Sequence, residues 1–288
     1  MNMSLAALLL PLLLASSQAG DLPRPSLDEI LKREADYCQK LGQAALNFVC
    51  LEDIIEKVNL SKDIKLNQAA SLDLTTDGVW TRSEAGIPAS RVKRTFIYDF
   101  QFVREGNHIR ETRTLLQENG KKKKEGNASL KTMNFVYRNA LLGPVAIFGS
   151  RWRDIYDYKI SGDARVGDRR CLIIDVTPKT PQAIIGFLFG RAFIDKATLE
   201  IMKIEWSEQR IGNYAVFEKR GERYGLKPQI SVTSEFDVEK NGIRFPSRHF
   251  IEEAYLDKKG KKFVRSETSV AYSDFRFFTV IVEDIITK

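Results

Sequence analysis

Alternation dominates this sequence. Phe96, Tyr98, Phe100 and Phe102 occupy every second position, with Ile97, Asp99 and Gln101 between them. Successive side chains of a strand point to opposite faces, so the stretch reads as a strand with one aromatic face. Gly106-Asn107 turns the chain into Ile109 to Gln117, its hairpin partner. Further on, Ile230, Val232, Phe236 and Val238 alternate with Ser231, Thr233, Glu235 and Asp237. Asn241-Gly242 follows, a strong hairpin signal, then a strand from Ile243 to Leu256. Lys258-Lys259-Gly260 turns into Phe263 to Phe275, and Phe277 to Val282 closes the chain. In the middle, Cys171 to Trp206 falls into short β-branched and aromatic runs ended by Pro178-Lys179 and by Asp195-Lys196, the pattern of successive strands. Phe48 to Val58 reads as a first strand, Asn59 to Thr76 as polar and weakly patterned, and Val79-Trp80 as a return to strand character.

Two stretches depart from period 2. Leu27, Ile30, Leu31, Ala35, Cys38, Leu41 and Ala45 recur at helical spacing behind a Ser26-Leu-Asp-Glu29 capping box, which predicts an amphipathic helix from Leu27 to about Ala44. Leu130 to Tyr158 crowds Met133, Phe135, Tyr137, Leu141, Leu142, Val145, Ile147 and Phe148 around Gly143-Pro144. Proline cannot continue a helix interior, so one or two short helices broken at that point are expected, and a segment apolar all round must be buried or cover something apolar. Ile184 to Phe189 is a second compact apolar run, and Glu118 to Ser129, with Lys121 to Lys124, reads as an exposed loop. Strands joined by tight turns make a meander. The expected class is α+β: a strongly curved antiparallel sheet, an N-terminal helix and a short helical insertion. No repeat or linker divides it, so residues 20–288 are expected to be one domain.

Composition changes the picture at the N-terminus. Leu5 to Ala15 is apolar, and Ser17-Gln18-Ala19 presents small residues at a cleavage site, so residues 1–19 read as a signal peptide. The run is too short to span a bilayer. The expected location is periplasmic or secreted. There, a net charge of +7 points to anionic lipid headgroups or acidic envelope material rather than nucleic acid. An oxidising compartment favours pairing of two of the three cysteines. Cys38 and Cys50, on consecutive elements, are the expected disulfide, with Cys171 left free and buried. The alternative is three small buried apolar side chains.

Catalytic signatures are missing. His108 and His249 have no second His or Cys at metal-ligand spacing. There is no Gly-x-Ser-x-Gly elbow, no Cys-x-x-Cys pair, and Gly221 to Gly225 lacks the spacing of a phosphate loop. No acidic pair stands out as a glycosidase dyad. No cofactor and no metal are expected. What remains is a set of aromatic and aliphatic rows on a sheet with little to cover it, which either forms an ordinary closed core or leaves room for an apolar ligand.

Leu172-Ile-Ile-Asp-Val-Thr-Pro-Lys179, Gly190-Arg-Ala-Phe-Ile-Asp-Lys196 and Glu200-Ile-Met-Lys-Ile204 are similar to successive strands of the outer-membrane lipoprotein carrier superfamily. The order of parts from Leu27 onward resembles that family's layout. The resemblance implies an incomplete β-barrel closed by helices around an apolar cavity for acyl chains. It makes Leu141 to Phe148 lid-like and places Phe96, Tyr98, Phe100, Phe102, Leu141, Leu142, Val145 and Phe148 as ligand-binding residues. It implies a non-enzymatic monomer that carries or senses lipid or lipidated protein, with an envelope protein as a further partner class and at most transient membrane contact. The arginine with which the carrier holds its lid closed does not align. A secreted enzyme acting on envelope material through an acidic site, or a structural envelope protein, are the alternatives, and fold analogy alone does not choose among them.

Overall fold

A computed structural model describes residues 25–73, 90–105, 108–133, 135, 137, 140–180, 188–208 and 214–278. The expected leader, the Val79-Trp80 stretch, the Gly106-Asn107 turn, the first four residues of the Ile184 to Phe189 run and the chain beyond Phe278 lie outside these residues.

The capping box forms as the sequence requires. The Ser26 hydroxyl accepts from the Glu29 amide, and helix α1 spans Leu27–Ala44 with Ile30, Leu31, Glu34, Cys38 and Leu41 buried. Strand β1 is Phe48–Asn59, followed by α2 (Ser61–Asp73). A first meander follows: β2 (Arg91–Glu105), β3 (His108–Glu118) and β4 (Lys121–Glu125). A short 3-10 turn leads into α3 (Gly143–Phe148), then β5 (Tyr156–Val166), β6 (Arg169–Pro178), β7 (Gly190–Asp195) and β8 (Ile201–Trp206). Helix α4 (Ala215–Tyr224) precedes β9 (Lys227–Glu235), the hairpin β10 (Val238–Lys240) and β11 (Ile243–Phe245), and β12 (Arg248–Leu256) and β13 (Lys262–Phe277).

The class is α+β. Among the described residues one antiparallel sheet of 11 strands has the order β4-β3-β2-β1-β13-β12-β9-β8-β7-β6-β5, and its two ends do not meet, so it is not closed into a barrel. The first and last strands pair at its interior. One register row crosses nine strands on the inner face: Phe96, Ile54, Val270, His249, Ser234, Ile204, Ala192, Ile174 and Ile160. It is apolar except at His249 and Ser234, and those two residues divide the core. On one side, β1, β2, β12 and β13 pack under Phe135, Tyr137, Leu141 and Phe217. On the other, β5 to β8 pack under α1 and α3.

The expected break at Gly143-Pro144 is present: a 3-10 helix ends at Leu142 and α3 begins at Gly143, where proline in the first turn gives up an amide that would be unpaired anyway. A Cβ on Gly143 would fall 2.7 Å from the Trp206 ring, so glycine permits the approach of α3 to β8. Several local expectations change. Lys121–Glu125 is a fully exposed edge strand, not a loop. The strand expected from Ile243 to Leu256 is two strands separated at Pro246, which has no amide to donate to the ladder. The hairpin before it is as read: Asn241 and Gly242 both take positive φ, 55° and 69°. The expected Cys38–Cys50 disulfide is absent. Cys38, Cys50 and Cys171 are free and buried, and Cys38 lies in the core half under α1 while Cys50 lies in the other.

Candidate functional site

Period-2 geometry makes the inner face of β2 aromatic. Phe96, Tyr98, Phe100 and Phe102 are all buried. Phe100 and Phe102 meet edge to face with centroids 5.1 Å apart, and Phe48 reaches Phe102 at 6.4 Å. Leu141 joins the same cluster, with Leu142 and Val145 half-buried at its margin. Phe148 belongs to the other half, stacked on Tyr158 at 5.9 Å, and Val145 touches both halves. Seven of the eight expected ligand-binding residues are therefore brought together and Phe148 is set apart.

The roof over this face is made of separate pieces. Phe135 stacks on Phe217 of α4 at 5.5 Å. The chain between Ser129 and Tyr137 is tied down by polar groups: the Tyr98 hydroxyl donates to the Ser129 carbonyl and accepts from the Lys131 amide, and the Glu56 carboxylate accepts from the Met133 amide. Helix α3 is held through the carbonyls of Ala146 and Ile147, which accept from the Tyr156 and Tyr158 hydroxyls at 3.2 and 2.6 Å.

The sequence reading missed the acids beneath that roof. Phe48, Cys50, Ile54 and Val58 point inward on β1, so period 2 also sends Glu52 and Glu56 inward, and both are fully buried. Parity alone could have found them. Glu52 accepts from Arg113 Nε at 2.6 Å and Nη2 at 3.1 Å, and from the Tyr137 and Tyr272 hydroxyls at 3.0 and 3.2 Å. Glu253 accepts from Arg220, from the Tyr255 hydroxyl at 2.6 Å, from Arg265 at 3.1 Å and from the Ser266 hydroxyl at 3.2 Å. Arg265 also meets Asp63 of α2. Each carboxylate is surrounded by donors, which makes it a tie between roof and sheet and leaves it poorly placed for proton transfer to a substrate.

At the division between the core halves, the Trp206 indole donates to Ser234 Oγ at 2.9 Å, and Ser234 Oγ lies 3.0 Å from His249 Nδ1. Burial pushes the pKa of the His249 imidazole down to about 4. The ring is neutral, and its Nδ1 shares one hydrogen bond with Ser234 Oγ. Glu34 is the opposite case. Burial, with the neighbouring Glu200 charge adding to it, pushes the pKa of its carboxyl up to about 8, and its Oε2 has no hydrogen-bond partner. It lines a cavity of about 110 Å³ with Arg244 and Glu200. Among the described residues no group of three His, Cys, Asp or Glu side chains could hold a metal ion, and no helix is long and apolar enough to cross a membrane.

No family model matches this sequence, and no curated protein matches it. Solved structures do resemble it in layout. A LolA superfamily protein from Nitrosomonas europaea is 11% identical over 90% of this chain and 97% of its own, with a TM-score of 0.35. A domain described as an outer membrane lipoprotein-sorting protein, from Vibrio parahaemolyticus, is 9% identical over 88% and 96%, with a TM-score of 0.41. A DUF1329 family protein from Desulfovibrio piger is 12% identical over 90% and 95%, with a TM-score of 0.37. The carrier superfamily that the central strands resemble is thus represented among the neighbours. At these scores none of them assigns a residue or a ligand here.

Proposed function

We propose that this is a non-enzymatic binding protein of the periplasm or cell exterior, which carries or senses lipid or lipidated protein on the inner face of its open sheet. One observation supports this most: among the described residues an aromatic face is roofed by separate short pieces instead of a continuous layer. A roof in pieces can part along its joints, and an acyl chain can then fill the space between roof and sheet. Burying each methylene contributes about 0.8 kcal/mol, so a chain of ordinary length offsets the displacement of a few side chains. In this closed state Phe96, Tyr98, Phe100 and Phe102 already have partners. The half-buried Leu142 and Val145 at the joint are where a chain would first make contact, with Leu141 beneath them and Phe148 on the far side.

Native mass spectrometry of the purified full chain and displacement of a fluorescent fatty acid test this. Lipid should be retained by the wild type and lost in Leu142→Asp and Val145→Asp, with the circular dichroism of the sheet unchanged. A wild type that holds no lipid and displaces no probe defeats the proposal. So do folded variants that bind as well as the wild type.

A further inference from the structure

The outer face of the sheet carries a charge mismatch that the inner-face reading does not use. On β1 and β2, Lys57 stands directly opposite Lys93. Like charges directly opposed across a strand pair are destabilising. Glu267, opposite Lys57 on the other side, lies 3.5 Å from its ammonium, and both side chains are well exposed. Among the described residues Lys93 has no carboxylate within ion-pair distance. Two register steps further along, Arg91 stands exposed opposite Asn59, where β1 leaves the sheet for α2.

A cavity of about 430 Å³ opens at this point. Lys57, Arg91, Lys93 and Arg265 surround it, with Glu267 as its one acid, and Val58, Val92 and Val264 are also part of its lining. Arg265 is engaged by Glu253 and Asp63 and Lys57 by Glu267, so among the described residues Arg91 and Lys93 are the cations of this cavity that have no carboxylate partner. Sharing Lys57, Lys93 and Glu267, a groove of about 520 Å³ continues over the outer face, past Ile55 and Phe250. These are sizes that hold small ligands.

We infer that this gap binds an anionic amphiphile. Its phosphate or carboxylate head sits between Lys57, Arg91 and Lys93, and its aliphatic stem lies over Val264 and runs on toward Ile55 and Phe250. The anion supplies the charge that the opposed lysines lack. The site is separate from the inner face, on the opposite side of the same strands.

Isothermal titration of the full chain with dodecyl phosphate, dodecanoate, dodecyl maltoside and inorganic phosphate tests it. Dodecyl phosphate should bind, and Lys93→Glu and Lys57→Glu should each weaken it about tenfold or more. Lys93→Glu should at the same time raise Tm, since it removes the like-charge contact, so a loss of binding cannot be put down to unfolding. Binding of dodecanoate as well would mean that a single negative charge suffices; binding of dodecyl phosphate alone would assign a phosphate head. Leu142→Asp should leave this binding unchanged while abolishing binding at the inner face, which separates failure of the two ideas. No binding of either anionic amphiphile, equal binding of dodecyl maltoside, competition by inorganic phosphate as strong as by dodecyl phosphate, or indifference to Lys93→Glu overturns the inference.

Discussion

Arg113 on β3 reaches across β2 to grip Glu52 on β1, and its guanidinium lies 4.7 Å from the centroid of the intervening Phe100 ring. An ion pair buried this deeply is costly to break from one side, because the remaining carboxylate keeps the two tyrosine hydroxyls but has no counter-charge. Arg113→Met should therefore destabilise the protein by about 3–5 kcal/mol in urea denaturation. Adding Glu52→Gln removes the stranded charge and leaves an acceptor for Tyr137 and Tyr272, so the double variant should regain more than half of that loss. A cost below about 1 kcal/mol for the single variant, or simple additivity, would show that the pair does not tie these strands.

Glu34 makes stability fall with pH. Its carboxyl titrates near 8 when folded, against 4.5 ordinarily, so the folded state holds the proton more tightly. The penalty is absent below about pH 4.5, grows as pH rises toward 8 and is constant above that. Glu34→Gln should remove this slope, adding about 2–4 kcal/mol at pH 8 and little at pH 4. Chemical denaturation of both proteins at the two pH values is the check, and equal gains at both would contradict the assignment.

The three thiols should all be present and all slow to react. Burial pushes the pKa of each of them up, so thiolate is scarce at neutral pH. Alkylation without reductant should label none of them quickly in the native protein and all three after unfolding, as read by intact mass. A protein that takes up one label when unfolded holds a disulfide instead.

The strands were legible wherever one face meets the core and the other meets water, as at Phe96 to Phe102 and at the Asn241-Gly242 hairpin. The capping box likewise located the start of α1. Helix α2 was not legible because it has no apolar stripe to read. It is attached through Asp63, which accepts from the Tyr224 hydroxyl at 2.7 Å and pairs with Arg265. Helix α4 buries little besides Phe217 and Gly221, too few positions for a period to show. Lys121–Glu125 reads as a loop because an edge strand exposed on both faces has no alternation, and its lysines discourage pairing with another chain. In the candidate site the aromatic row was plain and the acids beside it were passed over, because inward-facing charge runs against the pattern that reveals a strand. Their partners, Arg113 and Arg265, lie 61 and 12 residues away in sequence and become neighbours only when the sheet forms.

The pairing of β1 with β13 sets the order in which the molecule can come into being. In the sheet, β1 to β4 meet the remaining strands only across that seam, and one side of it is the last of the described strands to be synthesised. Until Lys262–Phe277 has been made, β1 and β12 each present a bare edge, and a chain halted before that point is left with two half-sheets open to any strand that reaches them. The join is also among the most distant in sequence, which makes it a slow step in folding. Completion of this sheet is thus an event that waits for Lys262–Phe277.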